Sequence, residues 1–382
     1  MKETNHAFRL LSAFAIITVV AGHMNHGGLK FLYRLFVEYQ FHVVTFVFIA
    51  GYFYKETAED AVWPYIRKKA LHLLVPMYVW NFIYGVLVQW MKQAGIITFG
   101  VDLSFDSLVI LPLYHGHQFF FTLALWFVPP LFFAETLHVL LRRIARALVP
   151  PGGNRTIYRE TCFFLLCLAV GIAGVELAMH GLKDGWWLLT CKTFIFLGFL
   201  GIGRFYRTVI EKREPASHIK YFAAILLLQV PLRIFFAKVY NYDLSLSLSW
   251  CLPKDFILTG PVLPFLLGTL GILFWLRVCK ILAPYIGKSR IVNLIGENTF
   301  SIMVHHLMGA MCLKFVLVAV VTTFSLSVSL DLQRIQNDIW YYPIFNSGRH
   351  LQILYLIAAI TFSLFIKHIE KKLRAFATAL LT

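Results

Sequence analysis

The sequence predicts an all-α, polytopic membrane protein of about ten transmembrane helices. Three observations lead there. Of 382 residues, 59% are hydrophobic and only 14% are charged, with a mean hydropathy of +0.71, outside the range of a soluble domain. The apolar runs are continuous rather than alternating, so they fit helices and not a barrel, and several reach the roughly 20 residues needed to cross about 30 Å of hydrocarbon. The basic residues lie mainly between every second pair of runs, as the positive-inside rule requires.

The runs, in order, are 7–25, 39–54, 71–91, 119–141, 161–180, 186–206, 218–237, 256–278, 294–321 and 350–367. With the N-terminus inside, the inner segments carry most of the 35 Lys and Arg residues, including Arg67-Lys68-Lys69 and Arg142-Arg143. Both termini are therefore expected on the cytoplasmic side. Residues 1–370 read as a single transmembrane domain and 371–382 as a short basic cytoplasmic tail. The first run holds Arg9 and no small-residue cleavage site, so it is expected to remain as a span. The formal charge of +16 is spread over the loops without a dense stripe, so nucleic acid is not an expected partner, whereas membrane lipid is. Six scattered cysteines, Cys251 among them, show no metal spacing and read as small core residues, and no metal is expected. The sequence says nothing about oligomeric state.

Chemistry begins in the first run. Ionisable groups inside a span cost about 2.5–3.5 kcal/mol each on insertion scales, so they mark function by default. Arg9 opens this run and His23, followed by Met24-Asn25-His26, closes it. Fourteen positions at about 100° fall about 40° short of whole turns, so Arg9 and His23 share a face, with Ser12 on the same stripe. In the second run His42 lies at a similar depth, and Gly51 would allow close helix approach. Arg67, Lys68, Lys69 and His72 precede the third run and could hold phosphates, although by composition alone ordinary anchoring charge is the favoured account. The fourth run carries Trp126-Phe127 and then Glu135 and His138, whose spacing fits a hydrogen-bonded pair better than a metal site. The ninth opens with Glu297-Asn298-Thr299, where Asn298 suits a helix cap, and continues to His305-His306. Two long outer loops, 92–118 and 322–349, contain Tyr114-His115-Gly116-His117-Gln118 and Trp340-Tyr341-Tyr342-Pro343. These aromatics could hold a sugar or form an interfacial belt. No nucleophile elbow, zinc motif or phosphate loop is present, so any chemistry must rest on intramembrane histidine.

Taken together, Ser12 to His23, Phe41 to Tyr52, Arg67 to His72 with Pro76-Met77-Tyr78, Leu125-Trp126-Phe127 and Gly296 to His306 make the chain resemble the acyltransferase 3 family of integral membrane acyltransferases. The resemblance covers nearly the whole chain. It implies transfer of an acyl group, often acetyl, from cytoplasmic acyl-CoA to a hydroxyl of a saccharide or a lipid-linked saccharide at the outer side of the cell membrane, with acyl-CoA as a substrate and no resident cofactor. By it, His23 and His306 match the catalytic histidines of the first and ninth spans. Arg9, Ser12, Arg67, Lys68, Lys69 and His72 fall at the acyl-CoA-binding stretches, and His42, Trp126, Glu297 and Asn298 are expected to meet the acceptor or line the cavity. Two positions depart from the family pattern. Ser12 stands where an arginine is usual eleven residues before the histidine, with Arg9 one turn earlier. Lys69-Ala70-Leu71-His72 replaces an Arg-x-x-Arg. His23 acts either as base or as acyl carrier in this reading. The rival reading is an exporter of saccharides or lipid intermediates without acyl transfer.

Overall fold

The computed structural model describes residues 5–24, 36, 38–148, 153–240, 260–326, 330–343 and 349–381. Asn25, His26, Cys251 and the start of the eighth run lie outside them. Every regular element among the described residues is helical. Among the described residues nine helices are long and apolar enough to cross a membrane, and a tenth, shorter apolar helix covers Tyr39–Tyr52, so each of the ten runs of the sequence has a helix.

The α-helices are α1 (His6–His23), α2 (Glu38–Tyr52), α3 (Val62–Gln93), α4 (Leu111–Tyr114), α5 (Val128–Leu148), α6 (Gly153–Met179) and α7 (Gly185–Phe205). They are followed by α8 (His218–Tyr240), α9 (Leu263–Ile286), α10 (Arg290–Glu297), α11 (Thr299–Thr323), α12 (Leu332–Asn337) and α13 (Arg349–Leu381). The spans of α1 and α2 end within two residues of the expected positions. Others differ by more: α6 starts eight residues before the expected 161, α9 ends eight after the expected 278, and four more differ as follows. Helix α3 starts at Val62, so Arg67 to His72 belong to its first turns instead of preceding it. The fourth run is not helical from 119. It turns, passes through a 3-10 segment at Leu123–Phe127, and becomes α-helical at Val128, where Pro129 and Pro130 occupy first-turn positions that need no N–H partner. The ninth run breaks at Asn298, whose φ of −113° and ψ of 26° are non-helical. Its Nδ2 donates back to the Leu294 carbonyl at 2.7 Å, so the side chain closes α10 and does not cap α11, contrary to the capping expected of it. The tail beyond 370 continues α13 to Leu381.

Two features fix the frame around the site. Helices α2 and α7 touch at the backbone: a Cβ on Gly51 would collide with the Leu200 carbonyl and one on Gly203 with the Phe48 carbonyl. That is the close approach expected of Gly51. At the basic end of the bundle, Arg142 is 1% exposed and donates from Nε to Glu59 at 3.0 Å and from Nη1 to Glu160 at 2.9 Å. Arg204 bonds Glu160 at 3.2 Å and also pairs with Glu56. Charges this deep persist only when paired and hydrogen-bonded, and here they lock the α2–α3 connection to α5, α6 and α7.

Candidate active site

The site forms along one stripe of α1. Ser12, Ile16, Val19 and His23 recur at spacings of four, three and four, which keeps them on one helix face. Ile16, Val19 and His23 line a cavity of about 80 Å³ together with Tyr39 and His42 of α2, Trp126 and Phe127 of the 3-10 segment, and Met303 of α11. A second cavity of about 180 Å³ adjoins it toward the basic end, sharing Ile16, Phe46, Phe127 and Met303. Its remaining lining is Leu73, Val128, Leu131, Phe300 and Thr299, apolar except for the last. The two cavities share four lining residues and together form an approach from the basic end toward His23.

At the head of that approach His23 Nδ1 lies 2.8 Å from His306 Nε2, and the two rings are nearly parallel, 11° apart. His306 Nδ1 is 3.0 Å from the Ile302 carbonyl and 2.9 Å from that of Met303. Carbonyl oxygens only accept, so the His306 Nδ1 carries a proton and, in the neutral ring, Nε2 is the acceptor. His23 must then donate from Nδ1, which leaves its Nε2 lone pair available in the cavity. His42 lines the same cavity, with Tyr39 edge-on at 4.9 Å, and the Tyr39 hydroxyl donates to the Gly22 carbonyl at 3.0 Å.

Both long loops fold over this chamber. Trp340 packs on the His23 ring at 5.7 Å. It follows Ile339, whose carbonyl accepts from the buried Lys314 Nζ at 2.6 Å, and that ammonium also faces the Tyr342 ring at 4.4 Å. The 98–120 segment is drawn in as well: His117 and Gln118 are buried, and Gln118 Nε2 donates to Asn81 at 2.6 Å. Burial, with Lys192 and His115 adding, pushes the His117 imidazole down to about 3. Lys192 lies over the Trp126 ring at 4.9 Å and reaches the Tyr114 carbonyl at 3.5 Å. The two loops are joined by Thr98 donating to the Gln336 carbonyl and to Asn337 Oδ1, at 3.1 and 2.7 Å.

Of the residues expected from the sequence, His23, His306, His42 and Trp126 are brought together. Arg9, Ser12 and Lys69 lie on the approach, toward the basic end. Ser12 Oγ is turned to its own helix, donating to the Phe8 carbonyl at 2.9 Å. Arg67, Lys68 and His72 are on exposed faces of α3, with the His72 Nδ1 donating to the Lys68 carbonyl. Glu297 and Asn298 do not line the cavity. Glu297 instead meets Arg9 Nη1 at 2.7 Å at the opposite end, nine residues before His306 along the chain. Nor do Glu135 and His138 pair with each other. Glu135 bonds Lys69 Nζ at 2.5 Å, while His138 sits edge-on to Tyr54 and Phe163. Tyr39 and Met303 escaped the sequence reading. Tyr39 stands three residues before His42, on the same helix face, which is the signal that could have found it. Among the described residues no group of three His, Cys, Asp or Glu side chains could hold a metal.

Comparison with known proteins adds one finding. A family model described as an acyltransferase domain matches residues 5–368, nearly the full chain. No curated protein and no solved structure matches.

Proposed function

Since this chain belongs to the acyltransferase 3 family and is a multi-pass membrane acyltransferase, we propose that it moves a short acyl group, acetyl in the simplest case, from acyl-CoA to a hydroxyl of a saccharide or lipid-linked saccharide. The observation that carries this is the His23–His306 pair at 2.8 Å, beside two adjoining cavities that lie between it and the basic end. The positive-inside argument makes that end cytoplasmic and the loop-covered end external, in a cell membrane.

The phosphates of the donor meet Lys69 and Arg9 at the basic end, with the exposed Arg67, Lys68 and His72 supplying longer-range attraction. The thioester arm lies along the Ser12–Ile16–Val19 stripe and brings its carbonyl to His23. The His23 Nε2 takes the proton of the acceptor hydroxyl as the oxygen attacks the thioester carbonyl. Collapse of the tetrahedral intermediate breaks the C–S bond, and the same proton passes from Nε2 to the departing thiolate. His306, fixed by two backbone carbonyls, holds the His23 tautomer and stabilises the imidazolium, in the manner of an orienting group behind a catalytic histidine. The chamber volume of about 80 Å³ favours a short acyl group. Trp126 and Trp340 offer faces for a sugar ring.

The test uses purified protein, radiolabelled acetyl-CoA and His23→Ala beside wild type. Label loss or transfer that disappears in the variant supports the reading. Absence of binding and turnover in folded wild type, across several acceptors, would replace it with the exporter.

A further inference from the structure

Two ion pairs stand at the basic end of the larger cavity, each close to its lining. On α3, Lys69 lies four residues before the lining Leu73, and on the antiparallel α5, Glu135 lies four after the lining Leu131. Their contact at 2.5 Å therefore sits about one turn beyond the cavity wall. On α1 and α10, Arg9 lies seven residues before the lining Ile16 and Glu297 two before Thr299, and they meet at 2.7 Å. Two pairs of helices are thus tied at the basic end of this cavity, each by a cation and a carboxylate. Glu135 is only 4% exposed, yet its Oε2 has no hydrogen-bond partner among the described residues. Packing alone disfavours a half-satisfied buried carboxylate. Carboxylate and phosphate oxygens compete for the same donors on lysine and arginine.

We infer that Glu135 and Glu297 are resident counter-anions at the donor's phosphate subsites, which a phosphate-bearing thioester displaces from Lys69 and Arg9 when it binds. This rests on the acyl-CoA reading above. With no donor present the cations are neutralised and each pair of helices is held together. Donor phosphates exchange one anion for another at each pair and release its helices. Glu135 and Glu297 are positioning residues: they touch no reacting atom and set donor affinity by competition. A donor lacking phosphates has nothing to exchange and gains nothing from their removal.

The experiment compares wild type, Glu135→Gln and Glu297→Gln as full-length protein, with acetyl-CoA and with S-acetyl-N-acetylcysteamine, a thioester without phosphates. The expected result is a KM for acetyl-CoA lower by about twofold to fivefold in each variant, the upper part of the range a partly exposed ion pair commands. The KM for the truncated donor stays at the wild-type value. Parallel shifts with both donors, or a KM for acetyl-CoA that is unchanged or higher, overturn the inference and assign the carboxylates to helix packing alone. Glu297 is half exposed, so its variant keeps the test decisive if Glu135→Gln fails to fold. A wild type that turns over neither thioester overturns acyl transfer itself, a different outcome from a donor-independent shift.

Discussion

Lys314, buried within α11, donates its Nζ hydrogen to the carbonyl of Ile339 at 2.6 Å. The next residue along is Trp340, whose ring rests on His23, so one intramembrane ammonium anchors the cover of the chamber. Lys314→Met keeps most of the volume and removes the anchor. The expected outcome is a higher KM for the acceptor and more hydrolysis of acyl-CoA relative to transfer, measured by following thiol release and product together.

His306 holds the tautomer of His23. His306→Asn is expected to lower kcat and to change the pH dependence of turnover while leaving the KM for the donor close to wild type. Loss of His23 itself removes the base and costs about 10²- to 10⁴-fold. Steady-state kinetics across pH, with both variants side by side, check the order of the two effects.

Gly116 has φ of +75°, and a Cβ there would lie 2.7 Å from the Trp126 backbone. Gly116→Ala must accept left-handed strain and also push Trp126 out of the cavity wall. A loss of about 1–3 kcal/mol is expected, read as a lower Tm in detergent, together with weaker acceptor binding.

His117 supplies a pH dependence outside the spans. Its folded pKa of about 3 lies below the ordinary imidazole value, through burial first and then Lys192 and His115. The unfolded chain therefore binds the proton more readily than the folded one. The stability this group contributes is full above about pH 6.5 and is lost as pH falls toward 3, at about 1.4 kcal/mol per unit. Thermal unfolding at pH 7 and pH 5 should show the decline, and His117→Gln should flatten it.

Arg142 neutralises Glu59 and Glu160 in the interior. Removing it as Arg142→Met takes the close cation from Glu59 and leaves Glu160 to Arg204 and Arg159, at a cost of about 3–5 kcal/mol. The variant is expected to lose its monodisperse peak in fluorescence-detected size exclusion, while Arg142→Lys keeps part of it.

The spans and the two histidines were legible in the chain because each rests on a local signal. Apolar length reports a span, and an imidazole inside an apolar run reports a protein-lined site. The partners of those histidines were not legible. His23 meets a residue 283 positions away, and no periodicity carries that. The same holds for Lys69 and Glu135, 66 apart: the lysine was read as free for phosphate, and the glutamate as the companion of His138, because helical spacing reports only neighbours on one element. Glu297 was grouped with the acceptor or the cavity lining by resemblance, and its partner Arg9 lies on another helix far along the chain, where no local spacing reports it. The inward fold of His117 and Gln118 likewise depends on contacts with Asn81 and Lys192 from other helices.

The helices that carry His23 and His42 are also the shortest of the bundle, 18 and 15 residues, against 22–32 for the other candidate spans. At about 1.5 Å per residue they are roughly 27 and 22 Å long, less than the roughly 30 Å of hydrocarbon around them. These two helices therefore fall short of the hydrocarbon thickness by a few ångströms. The longer α13, which touches α1 and is largely exposed along its span, is placed to meet the lipid. Changing the chain length of the surrounding lipid is expected to tilt such outer helices before it moves α1 and α2.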